Sequence, residues 1–266
     1  MSEQAVLAIA AHPDDIEFMM AGTLLRLKEA GYALHMLNVA NGHCGTMTDD
    51  RETIIAKRWE ESKAAAKTLG AELHGCVTDD LGIFYSIEQL RKVAATIREI
   101  APSIVLVQSP QDYMEDHTNA CRLAVSGAFT RGMRNFITDP ERPPVMNEVT
   151  VYHALPWGLR DGLRRRVRPG QFVDITPVLP KKREALACHR SQKEWLDQSQ
   201  GLDSYLIVME EMSREVGRWS GVFEVAEGWR RHSHLGFCAE QADPLKEALG
   251  EHCRVCEQYE RDLDNE

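Results

Sequence analysis

Positive charge is in short supply in this sequence. The 266 residues carry 31 Lys and Arg against 41 Asp and Glu, a formal net charge of −10 with an isoelectric point near 5.5. A nucleic-acid binder needs a basic face that displaces counterions, so general nucleic-acid binding is not expected. A leader or membrane anchor is equally unsupported. No basic segment precedes the first apolar run, AVLAIAA at 5–11, and that run meets His-Pro-Asp-Asp at once. Disulfide scaffolding is missing too. The seven cysteines (Cys44, Cys76, Cys121, Cys188, Cys238, Cys253, Cys256) are odd in number and scattered, which reads as reduced thiols in a cytoplasmic protein. Cys253 and Cys256 form the only tight pair, on what reads as a polar C-terminal helix, with no second pair to complete a zinc site. The GxGxxG fingerprint is absent after the first strand, so a dinucleotide cofactor is not expected. Internal repeats, low-complexity stretches and long flexible linkers are lacking as well. The chain therefore reads as a single domain, 1–266, with a core of about 1–130 and an extension of about 131–266.

What is present alternates. Strand-like AVLAIAA, ALHMLNVA, AELHGCV and SIVLVQ are each followed by a helical pattern: EFMMAGTLLRLKEAG, TIIAKRWEESKAAAKTLG, SIEQLRKVAATIREI and HTNACRLAVSGAF. Four strand–helix pairs in succession predict an α/β fold, Rossmann-like, with a mostly parallel sheet and helices on both faces. The region from about 130 to 180 is rich in Pro and Arg but contains strand-like VTVYHAL and QFVDIT. Helices over about 177–198 and 203–218 and an acidic helical tail complete a C-terminal strand/helix extension.

Ligands of such sheets bind where the strands' carboxyl ends lead into helices. The first strand ends in His12, Asp14, Asp15 and Glu17, and the fourth in SPQDYMEDH, which brings Asp112, Glu115, Asp116 and His117. Asp14 or Asp15 could simply cap the following helix, but capping must explain each loop independently. Two imidazoles and a carboxylate that leave one position open are a catalytic zinc donor set. Such an ion activates water and polarises a carbonyl oxygen, and a nearby carboxylate not spent on the metal can take a proton. Adjacent aspartates cannot readily point at one ion, so one would bind while the other acts as base. Spacing leaves open which does which.

These residues resemble a known family. Ala11-His12-Pro13-Asp14-Asp15-Ile16-Glu17 matches the A-H-P-D-D-x-E hallmark of the PIG-L/LmbE-like N-acetylglucosamine deacetylases. Arg58, Glu61, Ala65, Ala66, Leu69 and Gly70 match its R-x-x-E…A-A-x-x-L-G helix. Met114-Glu115-Asp116-His117 aligns with its H-P-D-H loop, His189-Arg190-Ser191-Gln192 with a later H-x-S-Q inside the long helix, and AEGWRR at 226–231 with a terminal A-E-x-F/W segment. The resemblance implies a Rossmann-like fold and Zn²⁺ as the usual metal, with Fe²⁺ or another divalent ion left open. It implies His12, Asp15 and His117 as ligands and Asp14 as general base, in hydrolysis of an acetamide on a glucosamine-type sugar. The sequence departs from the pattern at Met114, where the family commonly has a histidine that supports the oxyanion or protonates the leaving amine. A thioether does neither. His189, His153, Glu115 and Tyr113 are the replacements to examine, with His189 ahead. A different amide substrate, or a metal- or sugar-binding protein without activity, are the alternatives.

Other residues carry two readings each. Asp116 either orients a neighbouring histidine or caps the next helix. Arg58 either touches substrate or is ion-paired. The run from Arg160 to Arg168 holds five arginines in nine residues, suited to a phosphate clamp, a solvated loop or a contact in a homo-oligomer. The expected partner is a small amino-sugar substrate, with no membrane span.

Overall fold

A computed structural model describes residues 4–193 and 204–263. Its sheet has eight strands in the order β3-β2-β1-β4-β5-β7-β6-β8. The first five are β1 (Ala5–Ala10), β2 (Ala33–Asn38), β3 (Glu72–His74), β4 (Ile104–Val107) and β5 (Thr150–Ala154), all paired in parallel. Then β6 (Gln171–Asp174), β7 (Ala226–Arg231) and β8 (Cys253–Val255) join antiparallel. The expected Rossmann-like α/β sheet with a strand/helix extension is what the chain forms.

Alternation along β1 explains why both faces are covered. Val6, Ala8 and Ala10 pack with Leu24 and Leu27 of α2 (Ala21–Glu29) and Leu69 of α3 (Arg51–Leu69). Leu7 and Ile9 pack with Val93 and Ile97 of α4 (Ile87–Ile100) and Leu123 of α5 (Glu115–Phe129). A strand whose two side-chain rows are both apolar can only sit between two helical layers.

Two helices depart from expectation. The pattern over 17–31 splits into α1 (Asp15–Met19) and α2, with Met20 between them. The cause lies more than 200 residues away. Glu227 on β7 accepts from Gly22 N (2.8 Å) and Thr23 N (2.7 Å), so α2 begins afresh on a buried carboxylate. Lys182, also buried, lies 2.6 Å from the same carboxylate. The long helix expected over 177–198 is also broken. A short 3₁₀ turn leads into α6 (Leu179–Leu186), and the amides of Cys188 and His189 bond three residues back, to Ala185 and Leu186. This tightened end turns the chain before it resumes at Arg190. His189 is thus at a corner and not inside a helix; residues 194–198 lie outside the described ones.

The helix expected near 203–218 is α7 (Ser204–Ser220). The tail is not one helix but α8 (Pro244–Leu249), strand β8 and α9 (Glu257–Leu263). Cys253 is buried on β8 and Cys256 precedes α9, so the pair does not share a helix. No helix among the described residues is long and apolar enough to cross a membrane.

Candidate active site

The two loops sit side by side because β1 and β4 are paired neighbours. Gln108, just past β4, accepts from Ala11 N at 2.8 Å and ties the loops together. His12 N donates to Asp15 Oδ2 (2.7 Å), folding the first loop back on itself. That fold needs a left-handed backbone at Asp14 (φ 98°), which aspartate tolerates better than most residues.

His12, Asp15 and His117 converge, with one donor atom from each lying within 4.8 Å of the others. His12 Nε2 donates to Asp116 Oδ2 (3.0 Å), leaving Nδ1 3.4 Å from Asp15 Oδ2. His117 Nδ1 donates to Asp112 Oδ1 (3.1 Å), leaving Nε2 3.5 Å from Asp15 Oδ1. Each imidazole therefore has its far N–H held by a carboxylate and its near lone pair turned inward, the usual arrangement of a metal-binding histidine. The three residues fit a divalent cation. Asp116 holds a second donor as well, Leu81 N at 2.7 Å.

The electrostatics separate the adjacent aspartates. Burial raises the Asp15 carboxyl, but the His117 and His12 imidazoles outweigh it and hold the group well below the carboxylate range. Burial also dominates at Asp14. There Arg58, His189 and the Tyr205 hydroxyl only partly oppose it, so the carboxyl is raised. Burial lowers His12, yet bonds to Asp116 and Asp15 push it up to about 10. His117 is raised in the same way, by Asp15 and Asp112 against burial. These acids thus favour protonated imidazoles, whose protons a bound cation would have to displace.

Asp14 is held on both oxygens. Tyr205 Oη donates to Oδ2 at 2.6 Å and Arg58 Nη2 lies 3.5 Å from Oδ1. Arg58 is only 2% exposed. It also donates to the Pro13 carbonyl and, at 2.5 Å, to Gln192. Although it lines the cavity, its two terminal nitrogens are engaged by Pro13 and Gln192, and its Nε is buried without a hydrogen-bond partner among the described residues. Glu61, one turn further along α3, accepts from Ser191 N and Oγ at 2.8 and 2.6 Å.

The residues examined as replacements for the missing histidine fall in different places. His189 is fully buried, its Nε2 3.2 Å from Glu17 Oε1, and does not line the cavity. His153 does not line it either. Its Nδ1 donates to the Gln108 carbonyl (3.3 Å) and its Nε2 accepts from His232 Nδ1 (3.0 Å). Burial, then the neighbouring His232, pushes His153 down to about 3, so it is no proton donor near neutral pH. Glu115 is exposed outside the cavity. Tyr113 and Met114 do line it. The Tyr113 ring stands edge-on to His117 at 5.6 Å, and burial followed by Asp15 raises its phenol, keeping it protonated. The cavity itself holds about 500 Å³, with Phe18, Met19, Leu81, Leu155 and Trp157 as apolar walls. In the arginine run, Arg166 stacks on Trp219 at 4.8 Å, and none of the five lines the cavity.

Residue spacing alone did not assign Asp112 or Tyr205. Asp112 was visible as an acid five positions before His117. Tyr205 carries no local signal, since it reaches Asp14 across 191 residues.

Comparisons with known proteins bear on the family and the fold. The PIG-L family model, described as GlcNAc-PI de-N-acetylase, matches residues 7–129. The diacetylchitobiose deacetylase of Thermococcus kodakarensis is 29% identical over 198 residues, covering 70% of this chain and 69% of that protein. The 4-oxalmesaconate hydratase of Pseudomonas putida is 26% identical over 201 residues, covering 72% and 75%. Among solved structures, the conserved protein TT1542 of Thermus thermophilus superposes with a TM-score of 0.70 at 26% identity, over 85% of this chain and 93% of that one.

Proposed function

We propose that the chain belongs to the PIG-L/LmbE-like family of N-acetylglucosamine deacetylases, which it resembles, and on that premise that it is a metal-dependent hydrolase that removes an N-acetyl group from a glucosamine-type sugar or conjugate. His12, Asp15 and His117 would hold the ion, Zn²⁺ being the first candidate. When bound, the ion supplies Lewis-acid polarisation of the amide carbonyl and makes water a better nucleophile. Asp14 accepts the water's proton. The observation that carries this assignment is the opposed surroundings of the two aspartates: Asp15 is turned to the His12 and His117 imidazoles, whereas Asp14 is held by the Tyr205 hydroxyl and Arg58, where burial raises its carboxyl and favours taking a proton.

That same raised carboxyl addresses the missing histidine. A protonated Asp14 is acidic enough to return its proton to the departing amine, so one group serves as base and then as acid. Tyr113, protonated and on the cavity wall, is the available donor to the developing oxyanion. His189, paired with Glu17, contributes to the field at Asp14 without lining the cavity. Arg58 positions the Asp14 loop, and Asp116 fixes His12. The apolar walls suit a substrate with an apolar group beside the sugar.

A second reading has one observation in its favour. With Met114 in place of the histidine, the cavity suits a reaction without an amine leaving group, and one relative is named as a hydratase, a class that adds water to its substrate. The metal-loaded protein, assayed for acetate release over N-acetylated sugars and conjugates and for water addition to 4-oxalmesaconate, decides between them. We expect acetate. Hydration without acetate would install the second reading, and neither activity would leave a binding protein.

A further inference from the structure

We propose that His35, Glu72 and His74 form a second divalent-metal site, remote from the first, that clips the edge strand β3 to β2. Strand β3 is three residues long and ends the sheet. A ladder this short holds an edge weakly. Glu72 and His74 are two positions apart and so face the same side, and His35 pairs directly with Glu72 in the parallel register. Three donors therefore meet on one face.

The spacing is that of an ion's ligands. His35 Nδ1 lies 3.1 Å from His74 Nε2 and 3.6 Å from Glu72 Oε2, and one donor from each residue lies within 4.8 Å of the others. Adjacent ligands of a tetrahedral zinc with bonds of 2.0–2.1 Å stand roughly 3.3–3.4 Å apart. An ion fits between these atoms with little movement of the backbone. The facing His35 and His74 nitrogens share a hydrogen bond, and a bound ion would replace the proton between them. Access is open, since the Glu72 side chain is 69% exposed.

This cluster is not part of the candidate active site. His35 lies three residues before Asn38, on the half of β2 away from the strand ends that carry the catalytic loops. Two imidazoles and one carboxylate leave the fourth position to water. The cluster bridges β2 and β3 outside the cavity described above, so the role proposed for it is structural.

The full chain, stripped by chelator and dialysed against Zn²⁺ at tens of micromolar, tests this by metal content per chain. Wild type should bind two ions, His74→Gln one, His12→Ala one, and the double variant none. Melting of wild type should rise with added Zn²⁺ more than that of His74→Gln. Should His74→Gln fail to fold, Glu72→Gln at its exposed position replaces it, with at least a tenfold weaker second ion expected. One ion in wild type with none in His12→Ala would overturn the proposal, as would two ions in His74→Gln. The count does not depend on whether acetate release is found.

Discussion

Two carboxylates one residue apart do opposite things because their neighbours differ. Asp15 is turned to two imidazoles, while Asp14 is turned to a buried phenol and a guanidinium. The histidines in turn depend on acids behind them. Asp116→Asn should weaken metal binding by about 10- to 100-fold, the usual cost of losing such support; an unchanged dissociation constant by dialysis would remove Asp116 from the site. Tyr113→Phe should lower kcat by about 10²-fold with KM little changed, since an oxyanion donor acts mainly in the transition state. An equal rate on a verified substrate would mean that the oxyanion is supported elsewhere.

The loops hold their shape through elements distant in sequence, and this decides what could be read beforehand. The parallel strands, the two His- and Asp-bearing loops and the covered sheet faces were legible, because each is announced by local pattern: apolar runs, then clustered His and Asp. The break at Met20 was not, since its cause is Glu227 on β7. Nor was the corner at His189, where a helical pattern is overridden by a buried side chain facing Glu17. The motif residues make sense once placed. Arg58 and Glu61 of α3 meet Gln192 and Ser191, so two motifs form one brace behind the loop. Glu227 caps α2 and pairs with buried Lys182. Glu227→Ala would strand that lysine, and breaking a buried pair by removing one partner costs about 3–5 kcal/mol. Urea unfolding should show a loss of that order. A loss below about 1 kcal/mol, the scale of an exposed pair, would contradict the structural role given to this segment.

The molecule as a whole should be acid-sensitive in a defined window. His153 titrates at an ordinary 6.5 when unfolded but is pushed down to about 3 in the fold by burial and His232. Between those values the unfolded chain binds a proton that the folded chain refuses. Stability therefore falls as pH drops below 6.5, by about 1.4 kcal/mol per pH unit from this group, and levels off near 3. His153→Gln removes the term. The stability gap between wild type and variant, followed by urea unfolding from pH 7.5 to 5, should narrow as acid is added. A constant gap would show that His153 is not held neutral by the fold.

The assignment of base and ligand within the adjacent aspartates is the centre of the account, and one paired measurement reaches it directly. Asp14→Asn and Asp15→Asn are each analysed for metal content and for turnover of a substrate the wild type accepts. Asp14→Asn should keep the wild-type metal content and lose about 10² to 10⁴-fold in kcat, the range for a missing general base. Asp15→Asn should lose one ion per chain together with activity. Loss of the ion from Asp14→Asn, with Asp15→Asn still loaded, would contradict the account and exchange the two roles.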